Sequence, residues 1–179
     1  MATPPIFTAG AILTAAQMNV SGLWLIKSQV VGTAVSSVLV SDVFSADFDN
    51  YRVIYSGGVG SGPTGLALRV GGATTNYSHM LFWGTPGVAG VNTDSTTSTS
   101  QCNYLGGMTT SAASLSCDVL APFISTVPTV FNAGAYMAGD MGICSGRHNV
   151  AQSNTSVTLV PMGGANVTGG TIAVYGYRK

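Results

Sequence analysis

Apolar and polar side chains alternate at period two in short stretches from Leu23 onward, and turn residues separate these stretches about every ten positions. Many of the apolar positions are β-branched or aromatic, which favours strands over helices. The predicted strands span 24–31, 35–44, 51–55, 66–70, 77–83, 102–105, 114–120, 129–138, 141–144 and 155–160. Strands this short and this regularly spaced predict an all-β fold, either an antiparallel β-sandwich or a barrel.

The carboxyl-terminal segment 171–177 carries the strongest strand signal. Ile172, Val174 and Gly176 fall on one face, and the residues between them, including Tyr175, fall on the other. Both faces are fairly apolar. We therefore expect a central strand that is covered on both sides, with the rest of the chain built around it.

Two stretches lack the alternation and are predicted to be loops, 57–65 and 84–100. The first contains a G-x-G-x-x-G match at 60–65. A nucleotide site of this kind needs a helix to begin at the loop, whereas here Pro63 interrupts it and a strand follows. The match therefore indicates a hairpin loop, and no cofactor is predicted.

The first 22 residues read as an extended arm with one short helix. The arm is rich in proline and apolar residues, and Thr14 with Gln17 forms a capping box for a helix over 13–19. A segment this small cannot fold alone, so it must dock on the body, on a neighbouring subunit or on a larger particle. The candidate anchoring residues are Phe7, Leu13 and Met18.

The chain therefore divides into an anchoring arm, 1–22, and a β-sandwich domain, 23–179. No signal peptide is recognised at the N-terminus, and no apolar run is long enough to span a membrane.

Charged residues make up only 7% of the chain, with six acidic and six basic side chains and no glutamate. An average soluble domain has roughly 25%. Nucleic acid is an unfavourable partner because no basic patch exists to neutralise phosphates. A neutral surface gives little repulsion between molecules and favours association. The composition thus predicts a protein that lives in an assembly.

The three cysteines, Cys102, Cys117 and Cys144, form no disulfide framework and are predicted to be small buried side chains. Cys144 and His148 are four residues apart, which is only weakly typical of a metal site. Asp47 and Asp49 could bind calcium, although an Asp/Asn turn before a strand is the favoured explanation.

Catalysis finds little support, and the chain is predicted not to be an enzyme. A glycosidase needs a carboxylate pair and a triad needs a histidine beside a nucleophile, and neither pattern is visible. Asp118 lies in an apolar strand, where it is expected either to face solvent or to pair with an arginine such as Arg69 or Arg178. Trp83 and Tyr104 flank the predicted loop 84–100. They are the candidate contacts for a receptor or glycan, with burial in the core as the alternative.

Two segments resemble parts of bacteriophage virion proteins. Phe7-Thr-Ala-Gly-Ala-Ile-Leu-Thr-Ala-Ala-Gln-Met-Asn19 is similar to the F-T-A-G-x-x-L-T-A-A-x-x-N start of many tailed-phage structural proteins. Residues 169–178 are similar to the G-G-T-I-x-V-Y-G-Y-R close of jelly-roll modules in tail fibres and minor tail proteins. Residues 47–52 and 118–122 fit the same module.

The resemblance implies a jelly-roll sandwich that serves as a structural and adhesive part of a virion, assembled in the cytoplasm of a bacterial host. The implied partners are other virion proteins, further copies of the chain, as in a trimer, and a host-surface glycan or protein. A minor tail or tail-fibre protein at the tail tip is the first reading. A capsid decoration protein is the second, and a carbohydrate-active enzyme is a remote third.

Overall fold

The computed structural model describes residues 9–10, 22–137 and 139–177. The predicted helix over 13–19 lies outside these residues, as do Phe7, Leu13 and Met18 and most of the arm. These predictions therefore stay predictions.

The described residues form twelve strands and one 3-10 turn, and every strand pairing is antiparallel. The strands are β1 (Leu23–Val30), β2 (Val38–Val40), β3 (Asn50–Gly60), β4 (Thr64–Val70), β5 (Tyr77–Gly84), β6 (Asn92–Thr99), β7 (Cys102–Met108), β8 (Ala113–Leu120), β9 (Pro128–Met137), β10 (Asp140–Ala151), β11 (Val157–Pro161) and β12 (Val167–Tyr177). The turn spans Met162–Gly164. The predicted all-β fold is confirmed.

The strands form two layers that strand β8 joins. The large layer runs β1-β12-β3-β8-β9-β10-β5-β6, and the small layer runs β2-β11-β4-β7. One edge of β8 pairs with β3. Its other edge pairs first with β7, where Leu115 is opposite Gly106, and then with β9, where Cys117 is opposite Ala133. The architecture is a β-sandwich, and its jelly-roll winding stays a prediction.

Side chains from both layers meet in one core, and its largest members are aromatic. Three of them are tyrosines with less than 2% exposure, and each hydroxyl has a partner, as a buried phenol requires. The Tyr51 hydroxyl donates to the Ser45 carbonyl at 2.9 Å, and the Tyr77 hydroxyl accepts from the Val70 amide at 2.8 Å. The core therefore holds no unpaired phenol.

Strand β12 is a central strand, as predicted, because it pairs with β1 on one edge and β3 on the other. Ile172, Val174 and Gly176 face the core, as expected from the alternation. A Cβ at Gly176 would lie 2.4 Å from the Phe48 ring, so only glycine fits beneath that ring. The expectation that both faces are covered is wrong, because the side chains between these three are only half-buried.

The loop predicted over 84–100 is too long, because strand β6 occupies Asn92–Thr99 and pairs with β5, which leaves residues 85–91 outside the strands. The strand is hidden in the sequence because its residues are almost all Asn, Ser or Thr. An edge strand with little apolar burial needs no apolar alternation, while threonine suits extended backbone.

The loop predicted over 57–65 is also too long. Strand β3 continues to Gly60 and β4 begins at Thr64, which leaves a tight turn between them. Conversely, the strand predicted over 35–44 is reduced to Val38–Val40 and one bridge at Val35. Positive φ angles at Ala34 and Asp42 bend the chain on either side.

Candidate binding face

The side of the large layer that faces away from the core carries a shallow groove of about 570 Å³. We call this side the outer face. Because the strands are in register, one row of neighbouring residues crosses five of them in the order Arg52, Asp118, Asn132, Ser145 and Met80. The next row along the strands brings Ser116, Gly134, Ile143 and Phe82 together. Small residues form the floor, and larger ones stand at both ends.

A neutral polar cluster forms one end of the groove. Arg52 Nε donates to Asp118 Oδ1 at 2.8 Å, and a terminal nitrogen of Arg52 donates to Oδ2 at 2.9 Å. The Tyr177 hydroxyl also donates to Asp118 Oδ1, and Arg52 Cζ lies 5.7 Å from the centre of the Tyr177 ring. Fork-shaped pairing of this kind fixes the orientation of both charged groups.

These contacts keep the cluster in one charge state at neutral pH. The hydrogen bonds from Arg52 lower the pKa of the Asp118 carboxyl, and Tyr177 adds to the effect. The Arg52 pKa is raised mainly by its hydrogen bond to Asp118. Burial, followed by the bond to Asp118, raises the pKa of Tyr177 to about 12. This end of the groove therefore presents polar atoms without net charge.

Asp118 pairs with an arginine, as one of the two predictions had it, but the partner that the structure shows is Arg52. Arg69 donates instead to the Ser100 carbonyl at 3.1 Å and to Gln101 Oε1 at 3.0 Å, and Arg178 lies outside the described residues. Sequence order gave no sign that Arg52 is the partner, because the two residues are adjacent only through the register of β3 and β8.

Three large apolar side chains, Met80, Phe82 and Ile143, form the other end of the groove, and Met141 lies beside them on strand β10, outside the groove lining. All four remain exposed. The exposed fractions are 67% for Ile143, 60% for Met141, 50% for Met80 and 40% for Phe82. Ile143 is directly opposite Phe82 in the β5–β10 ladder. Single exposed apolar residues are ordinary, whereas a contiguous group on neighbouring strands is a candidate contact surface.

A second recess of about 620 Å³ adjoins the groove along strand β6. The two share Met80 and Ser145, and the second recess adds the hydroxyl side chains of Ser95 and Thr97. The outer face thus continues from the polar cluster, across the apolar residues, to a strip of hydroxyls.

The predicted contacts Trp83 and Tyr104 lie on the core side of this region. Both belong to strands, are half-buried and pack against the core. The Tyr104 ring meets the His79 ring edge-on, with centroids 5.5 Å apart. His79 Nε2 lies 3.7 Å from Asp94 Oδ2, and burial lowers the His79 pKa. Their predicted role in receptor binding stays a prediction.

The candidate metal ligands Asp47, Asp49, Cys144 and His148 belong to no larger ligand cluster in the part of the chain that the structure describes. Ser45 Oγ donates to Asp47 Oδ2 at 3.0 Å, which is the hydrogen bonding of a local turn. Among the described residues, no group of three or more His, Cys, Asp or Glu side chains could hold an ion. All three cysteines are free and buried, as predicted, and burial raises the pKa of each thiol, for Cys144 to about 12.

The sequence contained one usable signal for the exposed apolar residues. Met80 and Phe82 alternate with Leu81 and Trp83, so two different apolar faces were visible on strand β5. The face that becomes the core is the one that the small layer covers. Strand β7 of that layer pairs with β4 and β8, so the sequence of β5 alone does not reveal which face this is.

Comparison with protein-family models, curated proteins and solved structures finds no match to this chain. No helix among residues 9–10, 22–137 and 139–177 is long and apolar enough to cross a membrane.

Proposed function

We propose that this chain is a structural component of a tailed-phage particle, a minor tail or tail-fibre protein at the tail tip that helps to bind the host surface. The segments that resemble virion proteins motivate this proposal, together with the nearly uncharged composition. A subunit with few charges meets little repulsion when it packs beside other proteins.

The single observation that carries the binding role is the outer-face groove. Exposed Ile143 and Phe82 offer apolar contact area, while Arg52, Asp118 and Asn132 offer polar atoms in fixed positions. A site that combines an apolar wall with a few oriented polar groups suits recognition of a specific surface. In this proposal the groove faces the host, and the arm 1–22 attaches the subunit to the particle.

Binding of the purified protein to intact host cells tests the role of the groove. Ile143→Asp places a charge at the apolar end and is expected to weaken cell binding by about tenfold or more. Leu39→Asp is the matched control, because Leu39 is 55% exposed on strand β2 of the small layer, away from the groove. Equal binding by both variants would refute the groove as the contact surface.

The location of the chain within the particle needs a separate experiment. Purified virions are labelled with gold-conjugated antibodies against the chain and viewed by electron microscopy. Label at the tail tip is expected. Label over the head would favour the second candidate, a capsid decoration protein, in which the exposed apolar residues Met80, Phe82, Met141 and Ile143 would dock permanently on the shell. Virions without the protein should then lose head stability and still adsorb.

A carbohydrate-active enzyme remains the remote alternative. Asp118 is the carboxylate at the groove, and its bonds to Arg52 and Tyr177 lower its pKa, which disfavours a role as a general acid. Release of reducing sugar from host polysaccharide by the purified protein would overturn the non-enzymatic assignment.

A further inference from the structure

The described sandwich ends in three edge strands, and these differ in how they are protected. Strands β1, β2 and β6 each pair with one neighbour only within the described part of the chain. An exposed edge presents unpaired backbone N–H and C=O groups to any other strand. Proteins usually block such edges with lysine, proline, a bulge or a very short strand.

Two of the three edges are blocked. Strand β2 is only three residues long. Strand β1 has a bulge between Leu25 and Lys27, and Lys27 Nζ donates to the Ser41 carbonyl at 2.8 Å, which ties the edge of β1 to the chain just after β2. A lysine and a bulge on one edge, and a minimal strand on the other, discourage pairing with a second molecule.

Strand β6 has almost none of these features. It is eight residues long, contains no lysine, arginine or proline, and its single charged residue is Asp94. Asp94 is opposite the buried Leu81 and near His79, so its carboxylate lies on the core side and does not guard the edge. The irregularity of β6 lies near its end, where Ser98 has a φ of 61°, and the strand before it is regular.

Apolar residues lie at the approach to this edge. Val88 and Val91, in the connection from β5 to β6, are 65% and 72% exposed. The outward side chains of the strand itself, Thr93, Ser95 and Thr97, are uncharged and exposed. Cross-strand pairs of threonine and serine are favourable, and no like charges oppose the approach of an identical edge.

We propose that strand β6 is a self-association edge that pairs antiparallel with β6 of a second copy of this chain, so that the large layers of two subunits form one continuous sheet. The inference does not depend on host binding. It replaces the trimer expected from the resemblance, because antiparallel pairing of an edge with itself is two-fold and closes as a dimer.

The short length of the β6 edge limits how strongly two copies can associate. Two such edges would share about six backbone hydrogen bonds. A contact made by the edge of one eight-residue strand would be smaller than a standard interface of about 1,600 Å², so the dimer is expected to dissociate on dilution. Analytical ultracentrifugation of the full-length protein over a dilution series that starts on the order of 100 µM should therefore record a monomer–dimer equilibrium.

Charge variants at Ser95 test the interface directly. Ser95 is the middle one of the three outward residues Thr93, Ser95 and Thr97, so in the register that pairs these three with themselves Ser95 is opposite its own copy. In that register Ser95→Lys and Ser95→Glu each bring like charges together across the two-fold axis, and each should weaken the dimer about tenfold. An equimolar mixture of the two should restore association, which a misfolded variant could not do. Ser28→Lys on the edge of β1, where Ser28 is also exposed, is the matched control and should leave the equilibrium unchanged.

The outcomes of these experiments distinguish a failure of the proposed interface from a failure of the proposed function. A wild-type trimer, a monomer at every concentration, or a dimer that is indifferent to both Ser95 variants would overturn the proposal. Circular dichroism spectra matching the wild type would confirm that the variants are folded. If the wild-type protein forms the dimer but does not bind host cells, the result counts against the proposed function alone. If it binds host cells but forms no dimer, the result counts against this interface alone.

Discussion

The two faces of the large layer carry similar side chains but lie in different surroundings. On the core side, Phe131 of β9 and Leu81 of β5 are 0% and 3% exposed. On the outer side of the same layer, Phe82 and Ile143 are 40% and 67% exposed. The small layer covers the first face, and no described element covers the second. Side-chain chemistry alone therefore does not define the core of this protein, since the position of the second layer decides which apolar face becomes the interior.

The largest expected contrast is between two phenylalanines on opposite faces. Phe131→Ala should lower the free energy of unfolding by about 3–5 kcal/mol, because it leaves a cavity in a closely packed core. Phe82→Ala should lower it by less than about 1 kcal/mol, since that ring is already partly in water. Urea unfolding followed by circular dichroism measures both. Similar losses would mean that the outer face is as well covered as the inner one.

Two glycines give a smaller contrast. Gly176→Ala should cost about 1–3 kcal/mol because the new Cβ would lie 2.4 Å from the Phe48 ring. Gly134→Ala, on the outer face, meets nothing within 4 Å and should be neutral or stabilise by up to about 1 kcal/mol. Thermal unfolding of the two variants is the measurement, and a destabilised Gly134→Ala would show that something covers the groove.

A substitution in the polar cluster should give the smallest loss in the free energy of unfolding, and the size of that loss should depend on pH. Asp118 has a lowered pKa in the folded protein, so its contribution is present above the unfolded value of about 3.9 and is lost as the pH falls through the folded value. Asp118→Asn should cost about 1 kcal/mol or less at pH 7, because the Arg52–Asp118 pair is about one-third exposed. The gap between wild type and variant should stay constant from about pH 7 to 5 and begin to close as the pH falls below about 4.

Denaturant titrations of wild type and Asp118→Asn at intervals across that range provide the test. Tyr177→Phe is a useful companion, because it removes one hydrogen bond to Asp118 and leaves the bidentate Arg52 contact in place. A gap that widens on acidification would show that the carboxyl is protonated in the folded protein, in conflict with its lowered pKa.

The sequence predicted the β-rich fold and the central position of strand β12 because local alternation and β-branched residues report directly on extended structure. It missed β6 because an edge strand built from hydroxyl side chains lacks that alternation. It also missed the groove. Arg52, Asp118 and Ile143 belong to three different strands, and they share a face only through pairings that span much of the chain.

Methionine oxidation tests the central claim, that the outer face is the contact surface, most directly. Met80 and Met141 are 50% and 60% exposed on that face, whereas Met108 is fully buried and serves as an internal reference. The purified protein is treated with dilute hydrogen peroxide, alone and while retained on host cell envelopes, and its peptides are analysed by mass spectrometry. We expect Met80 and Met141 to oxidise quickly in the free protein and slowly when it is retained, with Met108 unreactive in both. Equal oxidation of Met80 and Met141 in the free and retained protein would contradict the account, as would a failure of the envelopes to retain the protein.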